Sequence, residues 1–292
     1  MEADNIDGKK EPKRLPVWAC IPLFIVVLFI FIGLYGTLVS GGLSLVLGVE
    51  ARHPGVVGYI FVEGSMLLAV LTAAIILLRL ERRPFSDLGL SLKGHASGLW
   101  YGLLMAILLY LLGFGISVVL GEIEVTGFQF KPLDLLGSWV FFLLVALFEE
   151  ILMRGYILGR LLHTNMNKFL ALFISSALFA FMHIFNPEIA FLPMLNLLLA
   201  GMLLGASYLY TQNLCFPISL HLFWNWLQGP ILGFEVSGGR LGGTLLSLEL
   251  PEENIINGGA FGFEGSVLCT ALMIIAIAII LKIQSRKVNQ RL

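Results

Sequence analysis

Charge is what this chain has least of. Of its 292 residues only 13% are charged, while 58% are hydrophobic; an average soluble domain carries about 25% charged residues. Mean hydropathy is +0.92. A polar shell around a soluble core cannot be built from so few charges, which excludes an ordinary water-soluble enzyme. The net charge of −1 provides no basic face, so nucleic acid is not an expected partner. The three cysteines, Cys20, Cys215 and Cys269, lie in apolar runs at no motif spacing. They supply neither a disulfide framework nor a zinc knuckle and read as small packing residues. The zinc-peptidase motif HExxH is missing, as are the GxSxG serine elbow and a C-terminal prenylation box. No cleavable leader is evident. The polar, basic stretch 1–14 runs into an apolar segment longer than the roughly 7–15 residues of a signal-peptide core, which reads as a signal anchor and first membrane helix.

Long apolar runs are what is present. A membrane helix needs about 20 mostly apolar residues, and eight segments qualify: 16–40, 56–80, 95–120, 135–160, 167–186, 189–211, 214–234 and 265–283. The sixth and seventh lie close together and are candidates for short or half-buried helices. The pattern predicts an all-α polytopic membrane protein of about eight transmembrane helices, bundle-like or conical around a core at about 135–234. A tail at 1–15, one transmembrane domain at 16–284 and a tail at 285–292 complete the expected layout. Basic residues set the expected orientation. Four lie in the N-terminal tail, four between Arg79 and Lys93, two at Arg160 and Lys168, and four in the C-terminal tail, so 14 of 18 fall on one side. That side is expected to be cytoplasmic and to hold both termini. The segments 121–134 and 235–264 then lie outside. The second is Gly-rich and acidic, and Glu264 or Ser266 is a candidate cap for the last helix. Phe-Val-Glu-Gly-Ser at 61–65 echoes Gly-Phe-Glu-Gly-Ser at 262–266, too short a match to establish a repeat.

Ionisable groups inside membrane helices are expensive, so each asks for a reason. The fourth helix carries Glu149, Glu150 and Arg154. Glu150 and Arg154 are spaced for an i to i+4 ion pair. Glu149 is rotated from Glu150 by about 100° and lacks a partner on its own helix. The simplest division is one structural ion pair and one functional carboxylate; the alternative is a charge cluster that only fixes helix packing. The fifth helix carries Phe179 and His183, the seventh His221 and Asn225, each pair one helical turn apart. Taken singly, either histidine is as well explained by core hydrogen bonding. Together the three helices supply a carboxylate, two imidazoles and a carboxamide. Those are the parts hydrolysis needs: a base for water, a group to hold it, and donors for an oxyanion. Glu63, in the second helix, is a weaker candidate, and His53, His95 and His163 read as solvated loop residues.

In order, Glu149-Glu150-x-x-x-Arg154, Phe179-x-x-x-His183 and His221-x-x-x-Asn225 resemble the CPBP family of intramembrane proteases. This is also called the Abi or CAAX-protease family, and its eukaryotic relative is the Ras-converting CAAX prenyl protease. The strong matches cover 145–228, about a third of the chain. The resemblance implies that Glu149 activates water, His183 helps hold it, and His221 and Asn225 stabilise the oxyanion. It implies that Glu150 and Arg154 brace the site, with Phe179 packed beside His183. The stretch before the last helix resembles bacterial members, which implies a bacterial cytoplasmic membrane and a membrane peptide or protein as substrate partner within the lipid bilayer. Metal use stays open: Glu149, His183 and His221 could form a three-ligand zinc site, or the glutamate and histidines could work without metal. Competing functions are a membrane scaffold or bacteriocin self-immunity protein on the same fold, and a transporter with buried charges along its path.

Overall fold

The computed structural model describes residues 15–47 and 55–289. His53, Arg52, the four basic residues of the N-terminal tail and Arg291 lie outside the described residues. Those residues form eight helices: α1 Val17–Leu47, α2 Gly55–Leu80, α3 Ser97–Val119, α4 Pro132–Leu162, α5 Lys168–Met182, α6 Phe191–Leu209, α7 Cys215–Trp226 and α8 Val267–Asn289. Six of them, α1 to α4, α6 and α8, are long and apolar enough to cross a membrane. The protein is an all-α polytopic membrane protein.

Three features depart from the sequence expectation. First, the fifth and seventh helices are the short ones. α5 has 15 residues and stops at Met182, so His183 caps it rather than riding on it. α7 has 12 residues and continues into a wide π turn over Leu227–Ile231 that contains Pro230. Proline lacks the amide hydrogen that an α-helix needs there, and the wider turn absorbs it. Second, α4 widens into π geometry over Ile151–Leu158 before closing again. Third, the two outer segments pair as a small antiparallel ribbon. β1 (Glu124–Phe128) lies against β2 (Leu246–Glu249), with Val125 opposite Leu248 and a bulge before Gly127. Strands this short, with partners separated by 118–125 positions, leave no readable alternation in the sequence.

Close backbone approach holds the bundle. A Cβ on Gly102 would stand 2.5 Å from the Leu220 amide nitrogen and 2.7 Å from the Phe216 carbonyl oxygen, so α3 lies directly on α7. A Cβ on Gly201 would stand 2.9 Å from Ser176 Cα, which does the same for α6 and α5. In a bilayer, where no hydrophobic drive pulls helices together, such small-residue contacts carry the packing. At the end that carries the ribbon, Phe263 is fully buried against Gly113, Tyr110 and Phe234. It tucks the long segment before α8 between the helices.

A second buried polar cluster lies near the opposite end of α4. Tyr156 donates to Glu81 Oε1 at 2.8 Å, and Arg160 Nε stands 3.5 Å from Glu81 Oε2. Arg160 is therefore a buried helix residue and not the exposed loop charge that the orientation argument assumed. The cluster was hidden in the sequence because Glu81 and Arg160 end separate helices. Likewise α8 runs on to Asn289, beyond the domain edge drawn at 284.

Gly102→Val should overpack the α3–α7 contact and cost about 1–3 kcal/mol of stability. Thermal unfolding of the detergent-solubilised protein should show the loss. An unchanged melting temperature would contradict the close approach.

Candidate functional site

The fourth helix delivers Glu149, Glu150 and Arg154 to the centre of the bundle. Glu150 and Arg154 are almost completely buried. Arg154 Nη1 donates to Glu150 Oε1 at 2.7 Å, and Nη2 donates to the Gly201 carbonyl at 3.0 Å. The guanidinium also stacks over Phe179, with its carbon 4.6 Å from the ring centroid, which favours the cation without adding a second charge. This fork anchors α4 to α5 and α6 at once.

His221 reaches the same carboxylate from α7. Its Nδ1 lies 2.8 Å from Glu150 Oε1. A carboxylate only accepts, so Nδ1 carries the proton and the opposite nitrogen, Nε2, is turned to Glu149. Nε2 and Glu149 Oε2 are 3.9 Å apart, too long for a direct hydrogen bond and a spacing at which one water can bridge. Glu149 Oε2 is shut off from solvent yet has no hydrogen-bond partner among the described residues. His183, just past the end of α5, folds its Nδ1 back to the Phe179 carbonyl at 2.8 Å. The same logic places the proton on Nδ1 and leaves Nε2 uncommitted. Phe179 lies between the two imidazoles, with centroids 4.8 Å from His183 and 6.2 Å from His221.

Glu149, Phe179, His183, His221 and Asn225 all line one cavity of about 420 Å³, within the size range of small-ligand and peptide sites. The cavity sits at the end of the bundle formed by the starts of α2, α4 and α8 and the ends of α5 and α7. The short α5 ends at Met182, so His183 just past it lines the same cavity as His221. Glu150 and Arg154 stand behind the wall and not in it.

Further residues line the cavity, among them Glu63, the weaker candidate of the sequence. Glu63 faces the same cavity from α2. Tyr59 packs on Phe141 at 6.1 Å, and a Cβ on Gly137 would meet Val56 at 2.9 Å, so α2 and α4 run side by side in this region. Glu264 lines it as well, and it does not cap α8. Its Oε1 accepts from Trp224 Nε1 at 2.9 Å and its Oε2 from the Ser237 amide and hydroxyl at 2.9 and 2.8 Å. The cap is Ser266, whose hydroxyl accepts from the Cys269 amide at 2.9 Å. Glu264 therefore straps the segment carrying Ser237 and Arg240 over the cavity mouth. The Glu-Gly-Ser echo at 63–65 and 264–266 marked two carboxylates that share one cavity, although nothing in the sequence tied them together. Of the two tryptophans beside Asn225, Trp224 is core and Trp226 is half-buried, donating to the Leu135 carbonyl at 3.1 Å.

Residues 131–227 match a family model, Rce1-like, described as Type II CAAX prenyl endopeptidase Rce1-like. Over this stretch the chain is similar to the Rce1-like family. The matched third runs from the start of α4 to the end of α7 and holds every residue of the Arg154, Glu150, His221 and Glu149 arrangement. No curated protein and no solved structure matches the chain. The Rce1-like stretch does not gather a metal-binding set: among the described residues no three His, Cys, Asp or Glu side chains converge to hold one ion.

Arg154→Ala should strand Glu150 as a buried unpaired charge and lower stability by about 3–5 kcal/mol. Melting of the purified variant and its yield from membranes check this. A variant that melts like the parent would show that the pair does not hold the site.

Proposed function

We propose that this Rce1-like protein is an intramembrane endopeptidase that hydrolyses a peptide bond in a membrane-associated peptide or protein. The observation that carries the reading is the unpartnered, enclosed Glu149 Oε2 facing His221 Nε2 across 3.9 Å at the wall of the cavity. A buried carboxylate oxygen with no donor is costly unless something else binds there, and the spacing suits a water held between base and imidazole.

In this mechanism Glu149 takes a proton as the water oxygen bonds to the substrate carbonyl carbon. Negative charge moves to the carbonyl oxygen. The Asn225 carboxamide, which makes no hydrogen bond to another described residue, donates to that oxygen. Collapse of the intermediate breaks the carbon–nitrogen bond, and Glu149 returns its proton to the leaving amine. Glu150 does no chemistry. It keeps the His221 proton on Nδ1, and Arg154 keeps Glu150 ionised and in place.

The opening lies on the side of the β1–β2 ribbon, where Ser237 and Leu241 line it, opposite the start of α1 and the end of α8. With the excess of Lys and Arg on the tail side, the site would open away from the cytoplasm, and a substrate would enter from that face or from the adjoining leaflet. A peptide added to right-side-out vesicles should then be cut; cutting in inverted vesicles alone would reverse the orientation.

Glu149→Gln should lower cleavage of a peptide library in proteoliposomes by at least about 10²-fold and leave melting unchanged, since the amide fills the same space and cannot take a proton. Asn225→Ala should cost about 10²–10³-fold. Equal turnover by parent and Glu149→Gln would remove Glu149 from the chemistry. Rescue of a deletion phenotype by both would favour a scaffold or immunity role.

A further inference from the structure

A second cavity, about 660 Å³, opens at the tail end of the bundle, far from Glu149. It is the wedge between α3 and the last turns of α8. α3 is drawn onto α7 at Gly98 and Gly102, whereas α8 lies along α6, so the two helices part where neither has a partner. Leu104 and Leu108 from one wall face Ile279 and Ile283 from the other, and all four remain about half exposed. Along a membrane helix this is an apolar channel roughly three turns long.

The mouth is different in kind. His95, Tyr101, Tyr210, Asn213 and Gln284 border it, and Lys168 stands over the Tyr210 ring at 4.4 Å. Lys93 directly precedes Gly94 of the rim, and Lys282 and Arg286 are exposed on the same last turns of α8. Against these cations there is no acid on any wall: residues 88–121, 189–234 and 265–292 contain no Asp or Glu. The rim side chains of His95, Asn213 and Gln284 are already bonded to backbone carbonyls, so the complementarity rests on an apolar channel that ends in positive charge with no acid among its lining residues.

We propose that the α3–α8 wedge is a binding site for an anionic phospholipid, with one acyl chain between Leu104, Leu108, Ile279 and Ile283 and the phosphate at the His95–Gln284 rim. Basic residues at the headgroup level attract anionic lipid, and here they are fixed around a groove that also holds the chain. The site uses no group of the Glu149 cavity, so it stands whether or not the protein is a peptidase.

The test is native mass spectrometry of the full chain, delipidated in detergent and titrated with phosphatidylglycerol or phosphatidylcholine of the same acyl chains. The parent should retain one phosphatidylglycerol with an affinity roughly tenfold or more above phosphatidylcholine. Leu108→Trp, which fills the channel, should abolish retention of both lipids. Lys282→Gln with Arg286→Gln, both on the exposed surface, should erase the preference but keep weak binding. Equal retention of the two lipids by the parent would overturn the charge argument. Undiminished phosphatidylglycerol binding by Leu108→Trp would overturn the site, as would a mass showing a second copy of the chain in place of lipid. If Leu108→Trp fails to fold, the double charge variant decides alone: an unchanged preference refutes the proposal.

Discussion

One carboxylate oxygen organises the centre of this protein. Glu150 Oε1 accepts from Arg154 and from His221 within 2.8 Å, and through them joins α4, α6 and α7. An ion this deep in a bilayer protein survives only if its partners are fixed. Arg154 is fixed by the Gly201 carbonyl and the Phe179 ring, and Gly201 can offer that carbonyl because α6 lies against Ser176 with no side chain between. Sequence, close packing and electrostatics thus meet at one point. The outcome is an imidazole with a defined proton and a defined direction, set opposite a second carboxylate that has no such support.

The neighbouring glutamates are chemically identical and differ only in surroundings. Glu150 has two cationic or N–H donors and no access to the cavity. Each carboxylate keeps one enclosed oxygen without a donor, and only that of Glu149 belongs to a residue lining the cavity. The helix carrying both loosens into π geometry directly after them. A wider turn gives up regular α hydrogen bonding, and such turns recur at functional sites because they re-aim side chains at little expense in length. α7 loosens in the same manner directly after Asn225 and Trp226. The two helices that bring Glu149 and His221 together are thus both regular up to the site and irregular beyond it.

The parts that sequence reveals and the parts it hides divide along physical lines. Helix number and the all-α class were legible because a bilayer imposes a length and an apolar composition on each span. The pairing of Glu150 with Arg154 was legible because both lie on one helix at a fixed spacing. The identity of the third partner was not: nothing in the chain says that His221, rather than His183, meets Glu150, because that depends on which helices touch. The short α5, the β1–β2 ribbon, the Glu81–Arg160 cluster and the Glu264 strap share that cause. Each is a contact between segments far apart in the chain, and each involves a residue whose local pattern suggested something blander. Arg160 looked like a loop charge and Glu264 like a helix cap, since each lies at a helix boundary where those roles are common.

The central claim is that water activated at Glu149 enters a peptide bond. Membranes containing the parent or the Glu149→Gln variant at matched abundance, incubated in water enriched in oxygen-18, test it directly. Mass spectrometry of the new C-termini should find one labelled oxygen in each new carboxylate with the parent and no such termini with the variant. Labelled termini that are equally abundant in both samples would contradict the assignment of Glu149 as the base.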